Sequence, residues 1–471
     1  MHNNVLLALL LFIPLGSRAQ ETTPLDWLHF RAEVLQHHPL ARQADQYLNL
    51  AQATVLRAKG GFDPKWYADF STKQFNGKTY FQYTETGVKW PLGLGLEIKG
   101  NYSLATGDFL NPESKIPKAG QVSAGINWTL WQGLLFDERR ADVQLSRFSR
   151  QQYEAEWALA RNNLLLDAAK AYWTWVVADN QRSIYAEALR QANIRWEALK
   201  ESYRQGDKPA IDTLEAFLQV QNRALDLEFA QMDLQDAALS LSQFRWDANG
   251  QPLDAGAPAT AIALTEDTAP LASIDRSPAW LETALEEHPE LLWYDAKQKS
   301  LEVERRLKQE KRKPGLNLNY SLLGNGWEFF PSATPRGVRM LANDIKWGLQ
   351  FQFPIPNRKA RGDVQIAQVK IEQTSLARQQ KRRDLEVKIR QYQNELEVLA
   401  RQIAQFRTMI ANYRSLLDAE NEKFRFGESS VFLINAREQR WLEARIKFLK
   451  LLGEYRKTEA GLLQAAGRLA R

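Results

Sequence analysis

The sequence predicts a mainly α-helical chain with a smaller β portion, in which one helix–β-hairpin–helix unit occurs twice. Three observations support this fold class. Two stretches longer than sixty residues contain neither proline nor glycine, similar segments recur in both halves of the chain, and short segments between the helices alternate between apolar and polar residues. Long uninterrupted stretches favour helices, whereas strict alternation is typical of strands with one apolar and one polar face.

The N-terminal segment, residues 1–19, is predicted to be a signal peptide. It contains the apolar run VLLALLLFIPLG, and Ser17-Arg18-Ala19 fits a small-x-small cleavage site before Gln20. Such a segment directs export and is removed from the mature protein. No later run of eighteen apolar residues is present, so we expect no membrane-spanning helix.

The composition argues against several functional classes. The chain of 471 residues contains no cysteine, which excludes disulfides, thiolate metal sites and a cysteine nucleophile. Its formal net charge of +6 is small for this length, and no basic stripe alternates with aromatic residues, so nucleic acid is not an expected partner. The histidines His37, His38 and His288 fall at predicted helix starts that are far apart in the sequence. We therefore expect no metal site, no cofactor and no enzymatic activity.

The repeated unit keeps its register in both halves, around an insert of variable length. Pro39 and Pro289 lie 250 residues apart, whereas Gly206 and Gly427 lie 221 residues apart. Repeat 1 therefore carries 29 more residues than repeat 2 between these points. A stretch rich in alanine, proline and small polar residues separates the repeats and is predicted to be a connector. The resulting division is repeat 1 at residues 20–249, the connector at 250–280 and repeat 2 at 281–471.

Each repeat contains one stretch that predicts a very long helix. These helices are expected over residues 134–205 and 363–426, and at about 1.5 Å per residue each would be roughly 100 Å long. In the second helix, the apolar positions between Leu385 and Leu417 are spaced alternately four and three residues apart. That seven-residue period imposes left-handed supercoiling on packed helices, so we predict long antiparallel coiled coils.

A glycine is expected to reverse the chain at the end of each long helix. Gly206 and Gly427 suit such turns because glycine adopts positive φ without a Cβ clash. Returning helices are predicted over residues 210–249 and 429–457, and a C-terminal tail follows the second one.

The inserts between the helices predict strands whose two faces differ in polarity. The strands lie within residues 65–131 of repeat 1 and 315–354 of repeat 2. In DIKWGLQFQFP, which begins at Asp344, apolar residues alternate with lysine, glycine and glutamine. Three other segments alternate in the same way: LGLEIKGNYSLA, QVSAGINWTLW and GLNLNYSLL. The pattern fits a solvent-exposed sheet packed on the helices, or a barrel wall with an apolar lipid-facing side and a wet lumen.

Three features favour the barrel wall over the exposed sheet. The strands have about nine to eleven residues, which suits a tilted membrane crossing, and the chain is predicted to be exported. Tryptophans lie toward the strand ends, where aromatic girdles contact the membrane surface; they are Trp90, Trp128, Trp131 and Trp347. Since a barrel needs roughly eight strands to close, the four strands of one chain require several chains to share one barrel.

The extra residues of repeat 1 contain a further aromatic segment, KWYADFSTKQFNGKTYFQYTETGVKW. Asn76-Gly77 within it is a strong signal for a tight hairpin turn. This hairpin could add two strands to the barrel wall or fold outside it, and the alternation, which is poorer here than in the other four strands, favours the second.

The pattern as a whole resembles the TolC-like outer-membrane efflux proteins, also called outer membrane factors. The shared features are the duplicated unit, helices that open with His38-Pro39 and His288-Pro289, and the turn motifs YRQGDKPAIDTLEA and FRFGESSVFLINAREQ. The resemblance covers nearly the whole chain after the signal peptide. It implies a homotrimer in the outer membrane of a Gram-negative bacterium, with a twelve-stranded barrel continuous with a twelve-helix periplasmic tunnel. It also implies that a periplasmic adaptor protein and an inner-membrane transporter dock at the closed tip of the tunnel.

The resemblance assigns functional residues to the tip. The turns that would meet the adaptor contain Arg204, Gly206, Arg425 and Gly427. The candidate residues for a constricted entrance are Asp212, Glu215, Glu428 and Asn435. The family often has an acidic residue six places after the tip glycine and an acidic or amide residue nine places after it, but repeat 2 has Leu433 and Ala436 there. Any acidic ring is therefore expected to come mainly from repeat 1.

Two interpretations remain for the arginines at the tip. Each arginine precedes its glycine by two residues and could pair with a carboxylate across the tip or cap the last carbonyls of its helix.

The function that the resemblance implies is a passive export duct, the exit channel of a tripartite efflux pump or a type I secretion system, opened by the adaptor. The alternative is a soluble periplasmic coiled-coil scaffold, which accounts for the long helices but not for strands with sorted faces.

Overall fold

The computed structural model describes residues 24–112, 115–254, 259–264, 276–326 and 344–470. The predicted signal peptide lies outside these residues, as does part of the predicted connector. The chain divides into two compact units, each made of three chain segments. Unit 1 comprises Met1–His38, Asp167–Ala272 and Val398–Lys457, and unit 2 comprises Pro39–Leu166, Ser273–Glu397 and Thr458–Arg471.

The described part of the chain is mostly helical. Its helices are α1 (Trp27–His37), α2 (Pro39–Lys59), α3 (Glu138–Arg204), α4 (Ala210–Ser242), α5 (Pro278–Glu286), α6 (Pro289–Glu310), α7 (Arg358–Arg425) and α8 (Val431–Ala465). The long helices α3 and α7 contribute residues to both units and lead through short turns into α4 and α8. None of the described helices is both long enough and apolar enough to cross a membrane.

The apolar seam that the sequence predicts for α7 is buried. Its aliphatic positions are all less than a tenth exposed; they are Leu385, Ile389, Leu396, Leu399, Ile403, Ile410 and Leu417. Its three aromatic positions, Tyr392, Phe406 and Tyr413, are half-buried, because their larger rings reach the edge of the seam. Burying each aliphatic side chain stabilises the packed helices by about 1.5–3 kcal/mol, so this seam is a main source of helix packing.

The two His-Pro motifs mark helix boundaries, and both histidine rings are buried there. His38 ends α1, and its ring Nε2 donates to the carbonyl oxygen of Gln243 at 3.2 Å. His288 caps the start of α6, where its Nδ1 accepts a hydrogen bond from the backbone N–H of Glu290 at 3.1 Å. Burial lowers the pKa of His288 to about 4. An accepting Nδ1 requires the neutral ring, so the cap and the lowered pKa agree.

Acidification is expected to destabilise the protein through His288. Its pKa falls from 6.5 in the unfolded chain to about 4 in the folded one, mainly by burial, with the nearby Lys381 and Lys388 adding to the effect and Glu290 opposing it. Below pH 6.5 only the unfolded chain gains the proton, so stability is full above that pH and is lost progressively toward pH 4. The loss amounts to about 3 kcal/mol, since each pKa unit corresponds to about 1.4 kcal/mol.

The matched variant for this prediction is His288→Asn, which keeps a side-chain acceptor at the helix start but does not titrate. Melting temperatures in detergent, measured from pH 4 to pH 8, should fall less steeply with acidification in the variant. Equal slopes in both proteins would contradict the assignment of the pH dependence to His288.

Six strands of unit 2 form one antiparallel sheet. The strands within the described residues are β1 (Pro24–Leu25), β2 (Lys65–Phe75), β3 (Lys78–Gly93), β4 (Leu96–Thr106), β5 (Gln121–Thr129), β6 (Thr260–Ala261), β7 (Gly315–Leu323) and β8 (Ile345–Gln352). The sheet has the order β2-β3-β4-β5-β7-β8, and every neighbouring pair is antiparallel. Strands β1 and β6 form a separate short parallel pair in unit 1.

The prediction of four sheet strands was wrong: the sheet has six, because the extra hairpin, which the poorer alternation had favoured placing elsewhere, is part of it. The Asn76-Gly77 turn forms, with both residues at positive φ, and joins β2 to β3. Strand β3 then pairs with β4 along most of its length, so the hairpin extends the sheet. The sequence misled because Thr84 and Thr86 interrupt the apolar positions of β3, whereas main-chain pairing does not depend on their side chains.

Candidate functional site

The two tip turns of unit 1 have the same main-chain geometry. The N–H of each tip glycine donates to the carbonyl three residues earlier, and the following N–H donates to the carbonyl five residues earlier, all at 3.0–3.1 Å. This is the Schellman pattern that ends helices. It needs positive φ at the glycine, and Gly206 and Gly427 have φ of +84° and +77°. Both exposed turns therefore have the conformation that their glycines predicted.

The two turns lie side by side within unit 1. Leu199, Ala216 and Val431 form a buried apolar cluster below them, which joins α3, α4 and α8. Phe424 packs against this cluster, and the ammonium group of Lys208 lies 4.5 Å from the centre of the Phe424 ring. One turn therefore contacts the other through a cation–π pair above a shared core.

The acidic residues predicted for the entrance lie at these turns. Asp212 and Glu215 are half-buried on the first turns of α4, and Glu428 is exposed directly after Gly427. Asp212 also lies at the positive end of the α4 dipole, which favours a carboxylate. The structure thus places three carboxylates at one end of unit 1.

Asn435, the fourth predicted entrance residue, takes part in a buried polar cluster instead. Arg195 of α3 donates to Oδ1 of Asn435 at 3.1 Å and also to Oε2 of Glu438. Asn435 and Glu438 are each less than a tenth exposed. Since a buried carboxylate without a partner is costly, this cluster holds α8 against α3. In this chain the Asn435 side chain is committed to packing inside unit 1.

The tip arginines occupy the last turns of the long helices. Nη1 of Arg204 lies 3.4 Å from Oε2 of Glu201, one turn earlier in α3, and both side chains are exposed. This pair lies within one helix and is not a contact across the tip. Arg425 is exposed in the last turn of α7, where a cation interacts favourably with the helix dipole.

Glu420 stabilises the second turn, although the sequence analysis did not identify it. Its carboxylate accepts a hydrogen bond from the Ser429 hydroxyl at 2.7 Å and lies 3.5 Å from Nε of Arg437. The bond from Ser429, with a further contribution from Arg437, lowers the pKa of the Glu420 carboxyl. These partners lie nine and seventeen residues away along the chain, so the contacts of Glu420 could not be predicted from a local spacing pattern.

Helix α4 carries two opposite seams, and the sequence analysis missed the exposed one. The buried seam consists of Ala216, Arg223, Ala230 and Ala237. The exposed seam, called here the α4 stripe, consists of Ile211, Leu218, Leu225, Met232 and Leu239, each more than half exposed. Both seams have the seven-residue spacing of coiled coils, and residues two apart point to nearly opposite sides of a helix. The spacing in α4 was the signal that could have identified the stripe.

One face of the sheet is apolar and largely exposed. All four tryptophans predicted for a girdle have at least two fifths of their surface exposed; they are Trp90, Trp128, Trp131 and Trp347. Trp90 pairs with Ile98, and the same row continues through Ile126 and Tyr320 to Trp347. One apolar row therefore crosses five adjacent strands.

Further aromatic residues lie on the hairpin that the sequence analysis had placed elsewhere. Trp66 and Phe70 of β2 are 74% and 67% exposed on the same face of the sheet as Val88 of β3, which pairs with Trp66. At the far end of the hairpin, the Tyr80 and Phe109 rings stack at 4.6 Å. Aromatic side chains thus lie near both ends of the sheet.

The opposite face of the sheet is polar and internally hydrogen-bonded. The hydroxyls of Tyr67 and Tyr83 each donate to the carboxylate of Glu85 at 2.6 Å. Lys99 of β4 lies 3.3 Å from the same carboxylate. On β5, the Asn127 amide donates to a carboxylate of β4 at 3.1 Å. One face therefore suits lipid and the other suits water.

Comparison with known proteins assigns the chain to a family. A model of the outer membrane efflux protein family matches residues 82–244 and 280–468, which is most of the chain. The chain belongs to the outer membrane efflux protein family. The match includes β4, β5, β7 and β8 of the sheet and both tip turns, whereas β2 precedes its first residue.

Solved structures of outer membrane proteins share the fold of this efflux protein. The MtrE channel of Neisseria gonorrhoeae is 13% identical with a TM-score of 0.67, over 94% of this chain and 89% of that chain. VceC of Vibrio cholerae is 15% identical with a TM-score of 0.64, over 94% and 96%. The CmeC channel of Campylobacter jejuni is 15% identical with a TM-score of 0.61, over 93% and 84%. A search of the curated proteins finds no significant match. The fold class predicted from the sequence is confirmed.

Proposed function

We propose that this outer membrane efflux protein is one protomer of a homotrimeric duct in the outer membrane of a Gram-negative bacterium, projecting into the periplasm. It serves as the passive exit channel of a tripartite efflux pump or a type I secretion system. The observation that carries the proposal is the sheet. Its apolar face is exposed on β2, β3, β4 and β8 and half-buried on β7 and part of β5, while its other face is polar. A barrel wall in an outer membrane needs both faces, because one contacts lipid and the other contacts water.

Two features of the single chain support assembly into a trimer. Six strands are fewer than the roughly eight needed to close a barrel, so a closed wall requires strands from other copies. The α4 stripe is an apolar seam with coiled-coil spacing that is exposed in the single chain. Such a seam is stable when a neighbouring helix covers it, and a second copy of this chain supplies long helices for that purpose.

The tip turns support the proposed docking of an adaptor protein and an inner-membrane transporter. Gly206 and Gly427, with the nearby Arg204 and Arg425, form exposed turns at one end of unit 1. Opening is a shear of the helix pairs at this end, and the contact between the two turns is the element that changes. An adaptor shifts the channel toward the open form only by binding that form more tightly.

Cell fractionation distinguishes the duct from a soluble periplasmic scaffold. The duct sediments with the outer membrane, resists extraction by high salt and needs detergent for release. In detergent it has the mass of three chains. Recovery of the chain as a monomer from the soluble periplasmic fraction would reject the duct in favour of the scaffold.

The acidic residues at the first turn are expected to select cations. In a trimer, the Asp212→Ala/Glu215→Ala variant removes two carboxylates from each protomer at the entrance. Carboxylates act on ions within about 10 Å at 0.1 M salt, so the variant should reduce the cation-to-anion permeability ratio by about two-fold or more. Reversal potentials in planar bilayers under a potassium chloride gradient measure this ratio.

The control for this prediction is Asp233→Ala. Asp233 is exposed on the same side of α4 as Glu215, five helical turns away from the tip. It should leave the permeability ratio unchanged. A ratio that is equal in the wild type and in the double variant would remove the acidic entrance from the proposal while leaving the duct intact.

A further inference from the structure

We infer that the open edge of β2 in one protomer pairs with the open edge of β8 in the next, so that a trimer closes a barrel of eighteen strands. This inference rests on the proposed function, which makes the chain a protomer of an outer-membrane trimer. The resemblance noted in the sequence implied twelve strands, four from each chain. The difference comes from the hairpin of β2 and β3, and β2 lies before the part of the chain that the family model matches.

The hairpin is an integral part of the sheet. Strand β3 pairs with β2 on one side and with β4 on the other, each over eleven residue pairs, so neither of its edges is open along that length. A barrel that began at β4 would have to break the pairing of β3 with β4 along that whole length. Among the described residues, the sheet therefore ends at β2 on one side and at β8 on the other.

The faces of β2 and β3 continue those of the other four strands. Trp66 of β2 starts a row that runs through Val88 of β3 to positions of β4, β5, β7 and β8 on the apolar face. On the polar face, Glu85 of β3 binds Tyr67 of β2 and Lys99 of β4. A hairpin outside a barrel would not be required to place its apolar and polar side chains on the same faces as the other four strands.

The direction of the edge strands allows closure. Neighbouring strands alternate in direction, and the sheet has an even number of strands, so β2 and β8 are antiparallel to each other. A rotation axis that brings β8 of one copy beside β2 of the next keeps the whole wall antiparallel. Both edges lack proline, with eleven residues in β2 and eight in β8, so their main-chain groups are available for pairing.

The added hairpin also has the height that a membrane requires. Strand β2 has eleven residues, and at about 3.3 Å per residue and a tilt of about 45° it rises roughly 26 Å, which matches the apolar band of an outer-membrane barrel. Trp66 lies near one end of β2 and is 74% exposed on the apolar face, which fits an aromatic girdle at that end.

The consequence is a wider duct through the membrane. With strands about 4.8 Å apart and tilted by about 40°, eighteen strands enclose a backbone cylinder about 36 Å across, compared with about 24 Å for twelve. Barrels of sixteen to eighteen strands leave an aqueous channel. The barrel would therefore offer little resistance to bulky cargo, and selection would fall to the helical tip.

Disulfide cross-linking tests the edge assignment, and the chain favours it because it contains no cysteine. One cysteine is placed on the polar face of β2, by Asp69→Cys or Ser71→Cys. A second is placed on the same face of β8, by Lys346→Cys, Gly348→Cys or Gln350→Cys. The matched series replaces the β2 cysteine with Asn101→Cys on β4, paired with the same three β8 positions. Isolated outer membranes are oxidised mildly, and covalent dimers and trimers are resolved by electrophoresis without reductant.

We expect covalent trimers from at least one combination of β2 with β8, and none from the β4 series, because a disulfide needs Cα atoms within about 7 Å. Trimers from the β4 series would overturn the inference and show a twelve-stranded wall. So would the absence of cross-links in both series from a protein with the mass of three chains in detergent. A monomeric mass in detergent would overturn the proposed function, and this inference with it.

Discussion

Replacing Leu218 and Leu225 by glutamate is expected to convert the proposed trimer into monomers while each chain stays folded. Both leucines belong to the α4 stripe and are 51% and 53% exposed in the single chain. In the proposed trimer, covering the exposed half of each side chain contributes about 1 kcal/mol, which is roughly half of the value for burying a fully exposed leucine. Carboxylates in their place would lose hydration without gaining partners, which costs still more. Light scattering coupled to size-exclusion chromatography in detergent measures the mass, and circular dichroism reports the helices.

The control is Gln231→Glu/Ser240→Glu, which adds the same number of carboxylates to α4. Both residues are exposed, and each lies about 100° around the helix from the stripe residue beside it. This variant should remain trimeric. If the leucine variant also keeps the mass of three chains, the α4 stripe does not take part in assembly and its exposed leucines need another explanation.

Placing arginine on the apolar face of β8 is expected to remove the protein from the outer membrane. Leu349 is 57% exposed and pairs with Leu318 of β7 on that face. An arginine facing lipid costs about 2–4 kcal/mol at the middle of a bilayer and less toward its surfaces. Leu349→Arg should therefore reduce the amount of folded, heat-modifiable protein in outer-membrane fractions by about ten-fold or more. Immunoblots of fractionated cells measure this amount.

The neighbouring residue provides the control on the same strand. Gln350 points to the opposite, polar face, where it pairs with Asn317. Gln350→Arg places the same side chain one residue away and should leave the membrane level close to that of the wild type. A similar loss in both variants would mean that the two faces of the sheet do not differ in environment, which contradicts the proposed duct.

The helical part of the fold was predictable because its signals are local. The burial of the α7 seam follows from a spacing that can be read within one helix, and the positive φ of Gly206 and Gly427 follows from the residue type. For the same reason, the sequence did not show that the α4 stripe is exposed. The two seams of α4 have equal spacing, and only packing against the rest of the chain shows which of them is left uncovered.

The sheet and the polar clusters were less predictable because their partners are distant in sequence. Strand β3 belongs to the sheet through pairing with β4, and that pairing tolerates the threonines that weakened its alternation. Arg195 lies 240 residues before Asn435, so no sequence spacing could have shown that this amide is buried in an ion-pair cluster. The resemblance alone had suggested an entrance role for Asn435.

The two tip turns share the Schellman main-chain geometry but differ in their side chains. Main-chain hydrogen bonds and one glycine build each loop, so the residues that follow could diverge, to DKPA after Gly206 and to ESSV after Gly427. A protein that recognises the main-chain shape of the loop would have two equivalent binding sites on every chain. A protein that recognises the side chains would have only one. The number of partner molecules bound per chain would therefore show whether shape or side chains are recognised.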